Sequence, residues 1–217
     1  RRAHPPGPRR GQPSAQEATP QAAQTGRQRG RYQHEYPARR HARGHDRSRA
    51  LSTIAAAGDA VRAFVAFGAN LGDPSAAFVC ALQQLGALPG TRVVAHSSLY
   101  RTAPVGVEHQ PDYINAVIEL KTIVAARALL AAMLNIEHHN GRRRDFAMAP
   151  RSMDLDLLLY GEATINEDDL QVPHPRMHLR AFTLVPLAEI APEIIIPAHG
   201  RVIDLLPGVA GQEIARC

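Results

Sequence analysis

"APRSMDLDLLLYG", residues 149–161, carries two aspartates, Asp154 and Asp156, inside a run otherwise apolar enough to be a buried strand. Aspartate is a poor strand former, and an unpaired carboxylate is costly to bury. Residues i and i+2 of a strand share one face, ~6.6 Å apart. Asp154 and Asp156 therefore point one way while Leu155 and Leu157 point the other, into a core. Two like charges side by side need a cation. Mg²⁺ fits, because it takes oxygen ligands, keeps its waters and is completed by substrate phosphates. A pair of metal ions ~3.5–4 Å apart would fit beneath two such carboxylates. The other reading is an exposed edge-strand face paired with arginines.

The flanks bear on that choice. Arg142, Arg143, Arg144 and Arg151 crowd the entrance to the strand, and His174 and Arg180 border a later turn. The guanidinium fork matches phosphate oxygens, and acids for Mg²⁺ beside several arginines suit a nucleoside triphosphate site. The triplet 142–144 also reads as a solvated basic loop. No G-x-x-x-x-G-K-[ST] occurs, and "GANLGD" (68–73) is not G-x-G-x-x-G, which excludes a P-loop enzyme. With Lys121 the only lysine, any cation in a site is arginine, histidine or metal.

Outward from this strand the pattern alternates strands and helices. "RAFVAFG" (62–68) reads as a strand ending in the Gly-rich turn. "PSAAFVCALQQLGALPG" (74–90) places Phe78, Leu82 and Leu85 at helical spacing and stops at Gly86. "TRVVAHSSLY" (91–100) reads as one strand, followed by a polar loop over 101–112. "YINAVIELKT" (113–122) alternates, with Ile114, Ala116, Ile118 and Leu120 on one face and Tyr113, Asn115, Val117, Glu119 and Lys121 on the other. "AARALLAAMLNIEHH" (125–139) is a helix closed by Asn140-Gly141. Residues 174–192 hold a further helix that Pro186 interrupts. The pattern implies an α+β layer: one mainly antiparallel sheet with helices packed on a face.

The chain has 217 residues and a net charge of +5, unevenly spread. Residues 1–50 hold 12 arginines against three acids, while residues 51–217 are net negative at −4. Residues 1–58, rich in Arg, Pro and Gly with little to bury, are expected to be a disordered extension; residues 59–217 form the folded domain. The extension has no apolar signal core. Its readings are an organelle-type leader, upstream sequence outside the native protein, or a nucleic-acid-binding tail; no nucleic acid is expected on the folded domain. No run reaches the length of a membrane span. The two cysteines, Cys80 and Cys217, suggest neither zinc nor a disulfide scaffold, so a reducing, cytoplasmic setting is expected.

The loop "RTAPVG" and the strand start "DYINA" bring Thr102, Tyr113 and Asn115 together. An Asn side chain donates and accepts, matching the edge of a flat heterocycle; Tyr113 and Phe182 could wall its faces. Each also reads as ordinary sheet or core packing. In order along the chain, "AFGANLGD", "SSLYRTAPVG", "QPDYINAVIEL", "IEHHNGRRRDFAMAPRSMDLDLLLYG" and "VPHPRMHLRAFTLVPLAEIAP" closely resemble the 6-hydroxymethyl-7,8-dihydropterin pyrophosphokinase family, over about residues 62–207.

That resemblance implies a monomeric, ferredoxin-like α/β sandwich that transfers pyrophosphate from ATP to a pterin hydroxymethyl group, with ATP as co-substrate and two Mg²⁺ ions. It implies that Asp154 and Asp156 hold the metals and are catalytic together with Arg142 and Arg151. Gly68, Thr102, Val105, Tyr113, Asn115 and Phe182 would bind the pterin. Glu137, Arg142, Arg144, Arg151, Leu157, His174 and Arg180 would face the nucleotide. The loops 101–112 and 141–151 would close over ATP. The chain departs from the family pattern at Ala147, where a basic residue is usual, and at Met148, where some members have Trp. Those two departures motivate an alternative, a weakened pterin- or nucleotide-binding module; the extension alone motivates an RNA-associated protein.

Overall fold

Strict alternation in two long apolar runs sets the layers. The structure, a computed structural model, describes residues 59–104, 110–141 and 151–217. Along the chain run β1 (Val61–Ala69), α1 (Pro74–Gly86), β2 (Thr91–His96), β3 (Tyr100–Thr102), β4 (Tyr113–Thr122), α2 (Ala126–His139) and β5 (Asp154–Tyr160). Two short hairpins follow, β6 (Ile165–Asn166) with β7 (Gln171–Val172) and β8 (Ile195–Ile196) with β9 (Gly200–Arg201); α3 (Ala181–Ile190) lies between them. The short α4 (Val202–Leu205) and β10 (Ala215–Arg216) complete the chain.

The main sheet is antiparallel throughout, in the order β10-β3-β4-β1-β5, with β2 pairing along β4 beside β3. The expected single strand over 91–100 is two strands. Ser97 breaks it: its Oγ accepts the Val117 N–H at 3.0 Å and donates to the Ser98 C=O at 2.8 Å. A side chain has entered the ladder where a backbone group would continue it.

Helix α1 starts where Asp73 accepts the N–H groups of Ser75 and Ala76, both at 3.0 Å, with Pro74 in the first turn. Such a cap contributes about 1 kcal/mol over alanine. α1 and α2 cover one face, where Phe78, Leu85, Leu129 and Met133 pack on Val65, Phe67, Ile118, Leu120, Leu155 and Leu157. Full burial of each large side chain contributes roughly 1.5–3 kcal/mol.

Helices were expected on one face; they cover both. Leu184 and Leu187 of α3 pack on Phe64, Val117, Leu158 and Leu159 of the opposite face. β4 is consequently buried on both sides from Asn115 to Leu120. α3 runs through Pro186 without stopping, and Pro186 has no N–H to offer the Phe182 carbonyl. A bulge between Phe64 and Val65 in the β1–β5 pairing lets Leu158 and Leu159 both reach the α3 face. Among the described residues no helix is long and apolar enough to cross a membrane.

Candidate active site

Register places one residue from each of three strands side by side. Gly68 of β1 lies opposite Asp154 of β5 on one side and Asn115 of β4 on the other. Directly opposed residues share a face, and a Cβ built on Gly68 would stand 3.5 Å from Asn115 Oδ1. The row Asp154–Gly68–Asn115 therefore looks out on the α3 side, with no side chain at its centre. α3 crosses this face further along. It begins near His174, which feels the charge of Arg180, and ends where Glu189 accepts from Ser98 and Tyr100. Gly68, Asp154 and Asp156 keep partial exposure.

On the carboxylate side, Asp154 is ion-paired with Arg151; their side chains are 14% and 18% exposed. Asp156 follows on the same face, opposite Ala66. The His174 N–H donates to the Leu158 C=O at 2.9 Å, which lays the segment after the cis Val172–Pro173 bond along the free edge of β5. Burial pushes the His174 imidazole below its ordinary pKa; Asp156 pulls it up, and Arg180 and Arg176 push it down. Its Nδ1 accepts the Arg176 N–H at 3.2 Å, so the neutral ring carries its proton on Nε2. Asp156, His174 and Arg180 thus lie within electrostatic reach of one another.

On the other side, Asn115 Nδ2 donates to Thr102 Oγ1 at 3.0 Å, and Thr102 lies opposite Tyr113. The Tyr113 hydroxyl donates to Gln110 Oε1 at 3.2 Å. Phe182, half-buried in the first turn of α3, has the Arg180 guanidinium 5.2 Å from its ring centroid. The sheet brings Gly68, Thr102, Tyr113 and Asn115 into one neighbourhood beside the carboxylates.

Two residues expected to face the nucleotide have buried side chains. Leu157 is 4% exposed, in the core beneath α1 and α2. Glu137 is 2% exposed, and its Oε1 accepts the Leu155 N–H at 2.7 Å. Both hold β5 from the face opposite the aspartates, because odd positions of that strand turn inward there. Asn70, read in the sequence only as part of a turn, is buried and joins Arg151 to Gln110. A two-way hydrogen-bonding side chain at the mouth of a strand is the one local signal for it. Val105, Arg142, Arg143, Arg144, Ala147 and Met148 lie outside the described residues. Among the described residues, no group of three or more His, Cys, Asp or Glu side chains could hold a metal.

Residues 64–192, which contain every described member of this constellation, match the family model for 7,8-dihydro-6-hydroxymethylpterin-pyrophosphokinase. The chain belongs to this family. Among pyrophosphokinase relatives, the 2-amino-4-hydroxy-6-hydroxymethyldihydropteridine pyrophosphokinase of Pseudomonas aeruginosa is 41% identical over 155 residues, covering 71% of this chain and 96% of the relative. The protein of the same name from Haemophilus influenzae is 36% identical over 156 residues, covering 72% and 98%. In structure, the chain is similar to Plasmodium falciparum HPPK-DHPS, with a TM-score of 0.61, 13% identity and 72% of this chain covered. It spans about half of that longer protein, 47%. At that identity the likeness is one of fold, and the ferredoxin-like sandwich expected from the sequence is the pyrophosphokinase fold.

Proposed function

We propose that the row Asp154–Gly68–Asn115 is the floor on which this pyrophosphokinase aligns its two substrates. The chain transfers pyrophosphate from ATP to the hydroxymethyl group of hydroxymethyldihydropterin, a step of folate biosynthesis. The observation that carries the site reading is the register itself. Carboxylates, a bare glycine and a paired amide lie on adjacent strands and one face, within the segment that matches the family.

On this reading Asn115, held by Thr102, meets the hydrogen-bonding edge of the pterin, and Tyr113 and Phe182 cover its faces. Gly68 lets the ring lie against the sheet. Arg151, Arg180 and the Nε2–H of His174 face the phosphates; Arg142 and Arg144, outside the described residues, are assigned to them by family resemblance alone. Asp154 and Asp156 offer only oxygens, with no third ligand among the described residues, a donor set that fits Mg²⁺ completed by water and phosphate. Two such ions, when bound, would neutralise phosphate charge and acidify the attacking hydroxyl.

The chemistry is an in-line displacement. The pterin hydroxyl gives up its proton to solvent, its oxygen bonds to the β-phosphorus, the bond from that phosphorus to the α–β bridging oxygen breaks, and AMP leaves with that oxygen. Alignment and charge neutralisation carry most of such a reaction. The chain's own task is to hold a flat ring and a triphosphate at adjacent strands while the arginines balance charge. Residues 59–217 suffice for this, acting as a cytoplasmic monomer.

The test is direct. The protein with ATP, 6-hydroxymethyl-7,8-dihydropterin and Mg²⁺ should release AMP in step with pterin pyrophosphate, and Asp156→Ala should stop it while remaining folded. No AMP above background from the native sequence would sink the reading.

A further inference from the structure

We propose that Asn70 is a positioning residue that fixes the carboxylate half of the site against the pterin half. The inference rests on the site reading above, which gives those halves their roles. Asn70 is 4% exposed, at the end of β1, and every polar atom of its side chain is engaged. Its Oδ1 accepts the Arg151 N–H at 2.8 Å, and its own backbone N–H donates to the Arg151 C=O at 2.9 Å. That double clamp holds the residue whose guanidinium pairs with Asp154.

The other end of the amide points to the pterin side. Nδ2 donates to Gln110 Oε1 at 3.2 Å and to the Pro111 C=O at 3.3 Å. Gln110 Oε1 also accepts the Tyr113 hydroxyl, at 3.2 Å. An unbroken path runs Arg151–Asn70–Gln110–Tyr113, across 81 residues of sequence at its first step. Only a side chain with both a donor and an acceptor can make both joins. Aspartate keeps the join to Arg151, loses the join to Gln110 and sets a carboxylate against two oxygens. A buried amide with every polar atom engaged holds geometry firmly, and a displacement of about 1 Å between reacting groups can cost about a hundredfold in rate.

The experiment compares the full chain with Asn70→Asp, Gln110→Ala and Gln110→Glu, reading kcat, KM for each substrate and melting temperature. Glu at 110 retains an acceptor oxygen for both Asn70 and Tyr113. The expected result is a kcat lower by about 10–100-fold for Asn70→Asp and Gln110→Ala, with KM for ATP within about threefold. Gln110→Glu should recover most of the loss. A structural role alone would lower the melting temperature and leave kcat of the folded enzyme unchanged; that outcome, or Gln110→Glu as impaired as Gln110→Ala, overturns the proposal. If Asn70→Asp does not fold, the two Gln110 variants decide it. A native chain that releases no AMP removes the site reading and this inference together; an active native chain with unimpaired variants removes this inference alone.

Discussion

Glu137 of α2 accepts the backbone N–H of Leu155, the residue between the two aspartates, at 2.7 Å. A helix on one face of the sheet thereby fixes the strand that presents carboxylates on the other. Glu137→Ala should lower unfolding free energy by about 1–3 kcal/mol, the cost of leaving a buried donor without its acceptor. Glu137→Gln, which keeps an oxygen in place, should lose less than half of that. Urea titrations of the three proteins check the order.

The two aspartates should separate in stability while agreeing in activity. Asp154→Asn and Asp156→Asn should each slow AMP release by about a thousandfold or more. Asp154→Asn should also destabilise, by about 1–3 kcal/mol more than Asp156→Asn, because Arg151 loses the carboxylate it pairs with in a mostly buried setting. Parallel melts and assays decide; equal melting temperatures would mean the Arg151 pair adds nothing to stability.

Gly68→Ala should fold normally, since an added Cβ meets only Asn115 Oδ1, at an ordinary 3.5 Å. Its methyl group would stand on the floor between Asp154 and Asn115. KM for the pterin should rise about tenfold or more, ~1.4 kcal/mol of lost binding, with KM for ATP little changed. Steady-state kinetics with each substrate varied in turn gives the split.

His178 and His199 stack with ring centroids 3.6 Å apart, and His178 Nδ1 is buried without a hydrogen-bond partner among the described residues. Burial, and then the charge of His199, hold the His178 imidazole below its ordinary pKa. The folded state therefore binds fewer protons than the unfolded chain just below about pH 6.5. Stability should be full above that pH and fall as pH drops from about 6.5 toward the lowered value. His199→Gln should narrow this loss, read as a smaller drop in urea midpoint between pH 7 and pH 5.

Removing residues 1–58 should leave melting temperature and kcat within error of the full chain, because the family match lies wholly within 64–192. A large loss on truncation would assign that segment a part in the domain.

Local chemistry was legible where neighbours in sequence carry it. Gly86 ended α1, alternation gave the faces of β4, and two-residue spacing put Asp154 and Asp156 on one side. What escaped depends on distant partners. Ser97 ends β2 because Val117 lies opposite, and Asn70 matters because Arg151 and Gln110 converge on it. The core side of Leu157 follows from alternation, while its assignment to the nucleotide came from resemblance alone; the structure keeps it in the core. The second layer over β4 was not legible either, since Asn115 and Glu119 look solvent-facing in a linear pattern. They are buried instead, Glu119 with Arg62 at 2.7 Å and Asn115 with Thr102.

The bulge opposite Phe64 and Val65 falls after Asp156, so the pairing from Asp154 to Leu157 is uninterrupted. Deleting Leu157, the residue between Asp156 and the bulge, would do what no substitution can. It would slide Asp156 opposite Val65 and Asp154 opposite Phe67 and turn both carboxylates toward α1 and α2, inverting the strand at a stroke. Length, more than composition, is what this part of the chain cannot vary: many side chains along β1 and β5 can be exchanged, but their residue count between Gly68 and the bulge is fixed by the chemistry it lines up.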